Sequence, residues 1–362
     1  MIKDKKDIPL VSIIIPTYNR SHILNRAVQS VLLQTLSNFE IIIINDGSTD
    51  ATVDYVNKLL DQRIRFINLQ QNYGASYARN IGIMYAYAEL VAFLDSDDEW
   101  HPTKLESQLT LLNISADPDV SIIYCLHNVL VNREGTIDLF SSTSKIYEGD
   151  IYENLLKGGY ESLTTSTLLI KRSCLIKIGG FDPSLPSFQD ADLLLRLAKA
   201  GNHFLAVNET LVNKYRDTQQ LSIGNDLIAK SKGFEIFQQR WGSIIRNHFD
   251  DNTYYRWYSK QYLYLSILQI KKAVDNSNRI LALLHILTSL RFFSFSRYFI
   301  DFLLLSFALI FIGQGKIYRS MYKLYIYLLL EFRLTRKRTV AKDRPLLPEG
   351  RKEGASTFGR FG

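Results

Sequence analysis

The sequence predicts an α/β fold: a mixed, mostly parallel sheet flanked by helices, followed by a C-terminal helical region. Three observations predict it. Apolar strand-like runs alternate with helix-like segments from Leu10 to about Val131, the runs end abruptly in polar residues, and the pattern turns helical and aromatic from Asp226 onward. Strands buried on both faces read as continuous apolar runs, and strand-helix-strand alternation gives a parallel sheet with right-handed crossovers.

The elements follow in chain order. Val11 to Ile15 is a β-branched run stopped by Pro16. Ser21 to Thr35 carries Leu24, Ala27, Val28, Val31 and Leu32 at helical spacing, with Ser21 as the expected N-cap. Phe39 to Ile44 is a second buried strand, and Val53, Val56, Leu59 and Leu60 mark a helical face that Asp50 is expected to cap. Ile64 to Leu69 reads as a strand, Ala75 to Ala88 as a helix, Leu90 to Leu94 as a strand, and Pro102 to Asn113 as a helix with proline near its start. Farther on, Val120 to Val131 and Thr167 to Lys171 look like strands. Asp190 to Lys199 gathers Leu193, Leu194, Leu197 and Ala198 on one helical face.

Composition bounds the class. The 362 residues, 46% hydrophobic and 22% charged, suffice for one catalytic domain and an appendage. Of the net charge of +7, most sits after residue 330, where nine Lys or Arg face four acids. The remainder is near neutral, which argues against nucleic acid as a partner. Cys125 and Cys174 lack CxxC spacing and no leader opens the chain, so a reducing, cytoplasmic setting is expected.

The chemistry concentrates where Phe93-Leu94 runs into Asp95-Ser96-Asp97-Asp98. Ligands of open α/β sheets sit outside the carboxyl ends of the strands, and carboxylate oxygens there suit a hard divalent cation that grips phosphate. An EF-hand is excluded, because Trp100 stands where its loop needs glycine and Pro102 follows. Gln189-Asp190-Ala191-Asp192 opens a helix, where the macrodipole and free N–H groups favour an anion.

Four clusters occur in order at strand ends: Ser12 to Arg20, Asn45-Asp46-Gly47-Ser48-Thr49-Asp50, Asn72-Tyr73-Gly74 through Ala78-Arg79-Asn80, and Asp95-Ser96-Asp97-Asp98. Together they resemble the nucleotide-sugar half of a family 2 glycosyltransferase of the GT-A fold. Gly179-Gly180-Phe181-Asp182 and Gln189 to Leu193 resemble that family's segment carrying the catalytic base.

The resemblance implies that Asp97, with Asp95, ligates Mg²⁺ or Mn²⁺ across the donor diphosphate, and that Ser96 lies in the same donor site. It implies further that Asp46 reads the nucleobase while Gly47 permits a close backbone approach, that Arg79 reaches the diphosphate or base, and that Pro16, Thr17, Tyr18 and Asn19 line the base and ribose pocket. Asp190 is the implied base that deprotonates an acceptor hydroxyl. Three departures stand out: Asn45 replaces a common acid, Gln189 replaces the usual Glu and leaves Asp192 as a rival base, and Thr218 replaces a histidine after Tyr215-Arg216. Trp100, His101 and Lys104 either edge the acceptor site or simply enter a helix.

The expected organisation is an N-terminal tail over residues 1–8, a GT-A-like domain over 9–222, a helical region over 223–338 and a disordered basic tail over 339–362. Within the domain, 9–115 is the nucleotide-sugar half and 116–222 the acceptor half. The apolar run Phe302 to Ile312 falls short of the roughly 18 residues a membrane span needs. Neighbouring aromatics, with Arg333, Arg336, Lys337 and Arg338, favour an interfacial helix on a membrane surface over a lobe packed on the domain.

The expected function is therefore an inverting, metal-dependent glycosyltransferase, using a nucleotide-diphospho-sugar, UDP-linked by preference, on a glycan or lipid-linked acceptor. Its expected place is the cytoplasm or the cytoplasmic face of the membrane, in cell-surface polysaccharide biosynthesis. The alternative is a non-catalytic sugar-nucleotide-binding or scaffold protein. A nucleotidyltransferase would need a Gly-rich triphosphate loop near the first strand, and a dinucleotide oxidoreductase a GxGxxG; neither is there.

Overall fold

The structure, a computed structural model, describes residues 8–133, 136–141, 145–159, 163–217, 227–249 and 254. Residues 1–7 of the N-terminal tail, Thr218, the interfacial aromatic stretch and the basic tail lie outside the described residues.

Among the described residues nine strands form one mixed sheet. Its first part is parallel. Strands β1 (Val11–Thr17), β2 (Phe39–Asn45), β3 (Ile64–Asn68) and β4 (Leu90–Phe93) lie in the order β3-β2-β1-β4. Helices α1 (Leu24–Leu32), α2 (Thr52–Asn57) and α3 (Ala75–Tyr85) make the crossovers. Every residue of β1 and β2 is buried, as a strand covered on both faces must be. Burying one such Ile stabilises the fold by roughly 1.5–3 kcal/mol before entropy is charged against it.

Antiparallel partners enter with the second part. Strand β5 (Asp98–Trp100) leads into α4 (Lys104–Ile114), and β6 (Val120–Arg133) forms a hairpin with β7 (Thr136–Ser141). After α5 (Tyr152–Leu156) and a 3-10 turn (Thr165–Thr167), β8 (Leu169–Lys171) slots antiparallel between β4 and β6. Helices α6 (Arg172–Lys177) and α7 (Gln189–Lys199), strand β9 (His203–Asp217) and helix α8 (Leu227–His248) complete the described chain. Strand β9 runs parallel to β6 and antiparallel to β5, which sets Asp98 opposite Lys214.

Two local expectations change. Ser21 does not cap α1, whose N-cap is Ile23 without a side-chain bond. A turn on the Arg20 carbonyl delays the helix, and both the Ser21 amide and hydroxyl donate to Asp50 instead, at 3.0 and 2.8 Å. Thr167 belongs to the 3-10 turn, where its hydroxyl donates to Thr164 O at 2.7 Å, so the strand starts two residues later.

Candidate active site

The first wall is built where β1 and β2 end. Pro16 and Thr17 are buried, Tyr18 is exposed, and Asn19 turns the chain in the left-handed region at φ 52°. Asn19 ties the two loops together: its N–H donates to Ser48 Oγ at 2.8 Å and its Oδ1 accepts from the Thr49 N–H at 2.7 Å. Asp46 is buried, and its two oxygens accept the N–H groups of Tyr73 and Gly74, each at 2.8 Å. This acid therefore also holds the loop before α3. Gly47 has φ 72°, and a Cβ there would lie 2.7 Å from Gln71 Cα, so its close approach is to this loop's own backbone. Asn45, the departure from an acid pair, donates to Asn68 Oδ1 at 2.7 Å and accepts from Ser48.

Beyond β4 the three acids gather, with one carboxylate oxygen of each within 4.8 Å of the other two. They face different ways. The Asp98 side chain is 2% exposed, against 23% for Asp95 and 32% for Asp97. Asp98 accepts Ser166 Oγ at 2.6 Å and lies 3.5 Å from Lys214 Nζ. Asp95 accepts Arg79 Nη2 at 2.6 Å and Thr165 Oγ1 at 3.2 Å, while Asp97 has Arg20 3.8 Å away. Burial pushes Asp98 up to about 7, helped by the charges of Asp95 and Asp97 and opposed by Lys214. Burial and the neighbouring Asp95 also raise Asp97, whereas Arg79 and Lys214 overcome burial at Asp95 and lower it. Of the three, Asp95 and Asp97 keep part of their surface open, and such a carboxylate set has the oxygen donors that could hold a hard divalent cation. From α1, Arg26 donates to Asp97 O at 2.7 Å and lies 3.5 Å over the Tyr215 ring.

The 3-10 turn underlies the acids. Ser166 Oγ accepts the Asp95 N–H at 3.1 Å while donating to Asp98, and Ser166 O accepts Trp100 Nε1 at 2.8 Å. Gln108 Nε2 donates to Thr167 O at 2.9 Å, and Lys104 Nζ donates to Gln108 at 2.7 Å. Trp100 and Lys104 are buried, so they brace this turn from the interior and do not edge an acceptor site; His101 is exposed.

Asp190 stands at the second position of α7, after Phe188 in the left-handed region at φ 64°. Such a conformation costs a non-glycine residue on the order of 1–3 kcal/mol. Asp190 is half-buried within electrostatic reach of Asp95, Arg79 and Lys214. Burial, with Asp95, raises its carboxyl, against Arg79, Lys214 and the Thr165 N–H. The expected advantage of a helix start for the anion is outweighed here. Asp192 is fully buried and committed elsewhere, accepting Arg196 Nε and Arg240 Nη1 at 2.7 Å and Trp241 Nε1 at 3.0 Å. This leaves Asp190 as the acid at the cluster.

Of the buried polar atoms without a hydrogen-bond partner among the described residues, four belong to Thr17 (Oγ1), Ser76 (Oγ) and Arg79 (Nε and Nη1). Buried polar groups are rarely left unpaired unless a ligand or water completes them. Thr17 closes β1 and the other two ride on α3, so the orphans flank the acids at the carboxyl ends of the parallel strands.

The model of Glycosyl transferase family 2 matches residues 12–173. The Escherichia coli UDP-Glc:alpha-D-GlcNAc-diphosphoundecaprenol beta-1,3-glucosyltransferase WfaP is 35% identical over 57% of this chain and 76% of its own length. The chain belongs to glycosyl transferase family 2. It is a glycosyltransferase. The Bacillus subtilis putative teichuronic acid biosynthesis glycosyltransferase TuaG is 30% identical over 68% of this chain and 92% of its own. The fold is that of GT-A glycosyltransferases: the Pyrobaculum calidifontis mannosyltransferase PcManGT, solved with GDP-Man and Mn²⁺, superposes with a TM-score of 0.51 at 16% identity, covering 89% of this chain and 85% of that one.

Within this family 2 glycosyltransferase, sequence reasoning missed Thr165, Ser166, Lys214, Ser76 and Arg26. The run Thr164-Thr165-Ser166-Thr167 between Leu163 and Leu168 was the available signal, since four hydroxyls between leucines need a polar partner inside the fold. Lys214 carried none, because only the β5-β9 register places it opposite Asp98.

Proposed function

We propose that this glycosyltransferase moves a sugar from a nucleoside diphosphate to a hydroxyl of a glycan or lipid-linked acceptor, inverting the anomeric centre. The observation that carries the reading is the meeting of Asp95, Asp97, Arg79 and Asp190 in one corner lined by unpaired donors. Asp95 and Asp97 would hold Mg²⁺ or Mn²⁺, which when bound supplies positive charge against the diphosphate that departs. The two unpaired Arg79 nitrogens donate to diphosphate oxygens, and the Thr17 and Ser76 hydroxyls to the nucleoside. Pro16, Tyr18, Asn19, Gly47 and Ser96 wall the pocket, with Asp46 holding its loop.

Asp190 takes the proton of the acceptor hydroxyl as that oxygen bonds to the anomeric carbon and the bond to the diphosphate breaks. Its raised carboxyl brings the base nearer working pH, where proton transfer is most effective. The UDP-Glc in the name of the E. coli relative supports a UDP-sugar, and its diphosphoundecaprenol a lipid-linked acceptor. The Mn²⁺ named with the Pyrobaculum enzyme supports a divalent cation. A lipid-linked acceptor fits an enzyme working at the cytoplasmic face of the membrane; among the described residues no helix is long and apolar enough to cross it.

The test is a pair of variants in purified protein. Asp97→Ala is expected to lose metal-dependent donor binding and transfer, whereas Asp190→Asn keeps donor binding and loses transfer. Normal transfer by Asp190→Asn would overturn the base assignment.

A further inference from the structure

The start of α7, which carries Asp190, is gripped by α8, a helix lying beyond residues 12–173 matched by the family model. Gly233 of α8 lies against Ser187: a Cβ there would stand 2.8 Å from Ser187 O and 2.9 Å from Ser187 N, and would also strike its hydroxyl. That hydroxyl donates to Ala229 O at 3.2 Å, so one turn of α8 straddles the residue. Phe188, next along, keeps its left-handed backbone with its ring 5.8 Å from that of Phe234 and 5.4 Å from that of Phe237. On the far side of Asp190, the buried Asp192 accepts from Arg240 at 2.7 Å and Trp241 at 3.0 Å. Arg240 also reaches Asp182 at 2.5 Å, in the segment leading to α7. Contacts from one helix therefore bracket Asp190 on both sides in sequence.

We propose that α8 is a positioning element for the Asp190 carboxylate, with Gly233 and Arg240 as positioning residues that touch neither substrate nor metal. The inference rests on the reading of Asp190 as the base. A left-handed phenylalanine persists only where its surroundings over-determine it, and here α8 supplies those surroundings. Relaxing Phe188 would swing the first turn of α7 and move the carboxylate two residues later. The Ser187 backbone cannot yield to an added methyl as a flexible side-chain tip would. The residues proposed to bind donor and metal lie on β1, in the loops after β2 and β4, and on α3, and none of the α8 contacts named above falls on them.

The experiment uses the full-length chain with Gly233→Ala, Arg240→Met, Asp190→Asn and, as a control on the exposed face of α8, Lys232→Ala. The donor is whichever UDP-, GDP- or dTDP-sugar most stabilises the wild-type chain with Mn²⁺ in a thermal-shift panel. Turnover is release of nucleoside diphosphate with a cell-envelope lipid extract as the acceptor source, donor affinity is read by calorimetry, and amide exchange is followed across residues 187–194. A displacement of about 1 Å at a reacting group costs on the order of 10²-fold in rate. Gly233→Ala is expected to lower kcat by about 10- to 100-fold, leave donor affinity within about twofold and speed exchange at 187–194. Arg240→Met should follow in the same direction more weakly, and Lys232→Ala should match wild type. If Gly233→Ala does not fold, Arg240→Met decides on the same readings. Wild-type turnover in both variants, beside an inactive Asp190→Asn, overturns this proposal and spares the base. Parallel loss of donor affinity and turnover overturns it too, marking α8 as general scaffold. An active Asp190→Asn removes the underlying reading itself.

Discussion

Arg79 holds Asp95 at 2.6 Å through one guanidinium nitrogen, and its other two nitrogens have no partner among the described residues. The side chain is buried, and the charges of Asp95 and Asp190 hold its proton more firmly than burial loosens it. A buried cation with one anchored and two unpaired nitrogens is organised for a second anion before that anion arrives.

Arg79→Lys should therefore fail almost as badly as Arg79→Met. One ammonium cannot serve Asp95 and a diphosphate with the geometry of a fork. Loss of charge-assisted bonds worth about 1.5–3 kcal/mol predicts a fall in donor affinity of roughly 10- to 100-fold. Calorimetric titration with UDP and Mn²⁺ would read it.

Gly47→Ala is expected to destabilise the fold by at least about 2 kcal/mol, because φ 72° and the Gln71 backbone both oppose a Cβ. The displaced loop also carries the Tyr73 and Gly74 amides that Asp46 holds. Urea unfolding should show the loss of stability, and donor affinity should fall with it.

Ser166→Ala leaves the Asp95 N–H and the buried Asp98 each short of a partner. The expected cost is about 1–3 kcal/mol, the penalty for a buried polar group left unsatisfied. An unchanged urea midpoint would contradict the role given to the 3-10 turn.

A pH effect is expected far from the acid corner. The hydrogen bond from His203 to Asp117, 2.7 Å long, raises His203 above 6.5 and lowers Asp117 below 3.8. The histidine's contribution to stability is complete below its unfolded value of 6.5 and fades as pH rises through the raised folded value. The carboxylate's contribution is complete above 3.8 and fades as pH falls through the lowered one. Thermal unfolding of His203→Asn should lose this small pH dependence, with the midpoints of the two proteins converging at alkaline pH.

Most of the parallel half of the sheet was legible in the sequence, because buried Ile and Val runs declare themselves without tertiary help. The α1 face was legible too: Leu24, Ala27, Val28 and Val31 are fully buried. Its start was not, because Asp50, distant in sequence, takes Ser21 from the cap. Hydrogen-bond partners distant in sequence explain the rest. Asp192 stands as a rival to Asp190 on sequence alone, but Arg240 and Trp241, some fifty residues later in the chain, hold its carboxylate. Asp46 also accepts two amides of a loop that periodicity could not place beside it, a structural role the sequence did not announce.

In the proposed function, everything else depends on Asp95 and Asp97 jointly holding a divalent cation. A Mn²⁺ titration followed by electron paramagnetic resonance, in the presence of UDP, tests it most directly on the wild-type chain and on the variant carrying both Asp95→Asn and Asp97→Asn. The expected result is one tight Mn²⁺ in the wild type and a loss of affinity of about 100-fold or more in the double variant, matching removal of two anionic ligands worth roughly 3 kcal/mol. Equal Mn²⁺ affinity in the two proteins would contradict it.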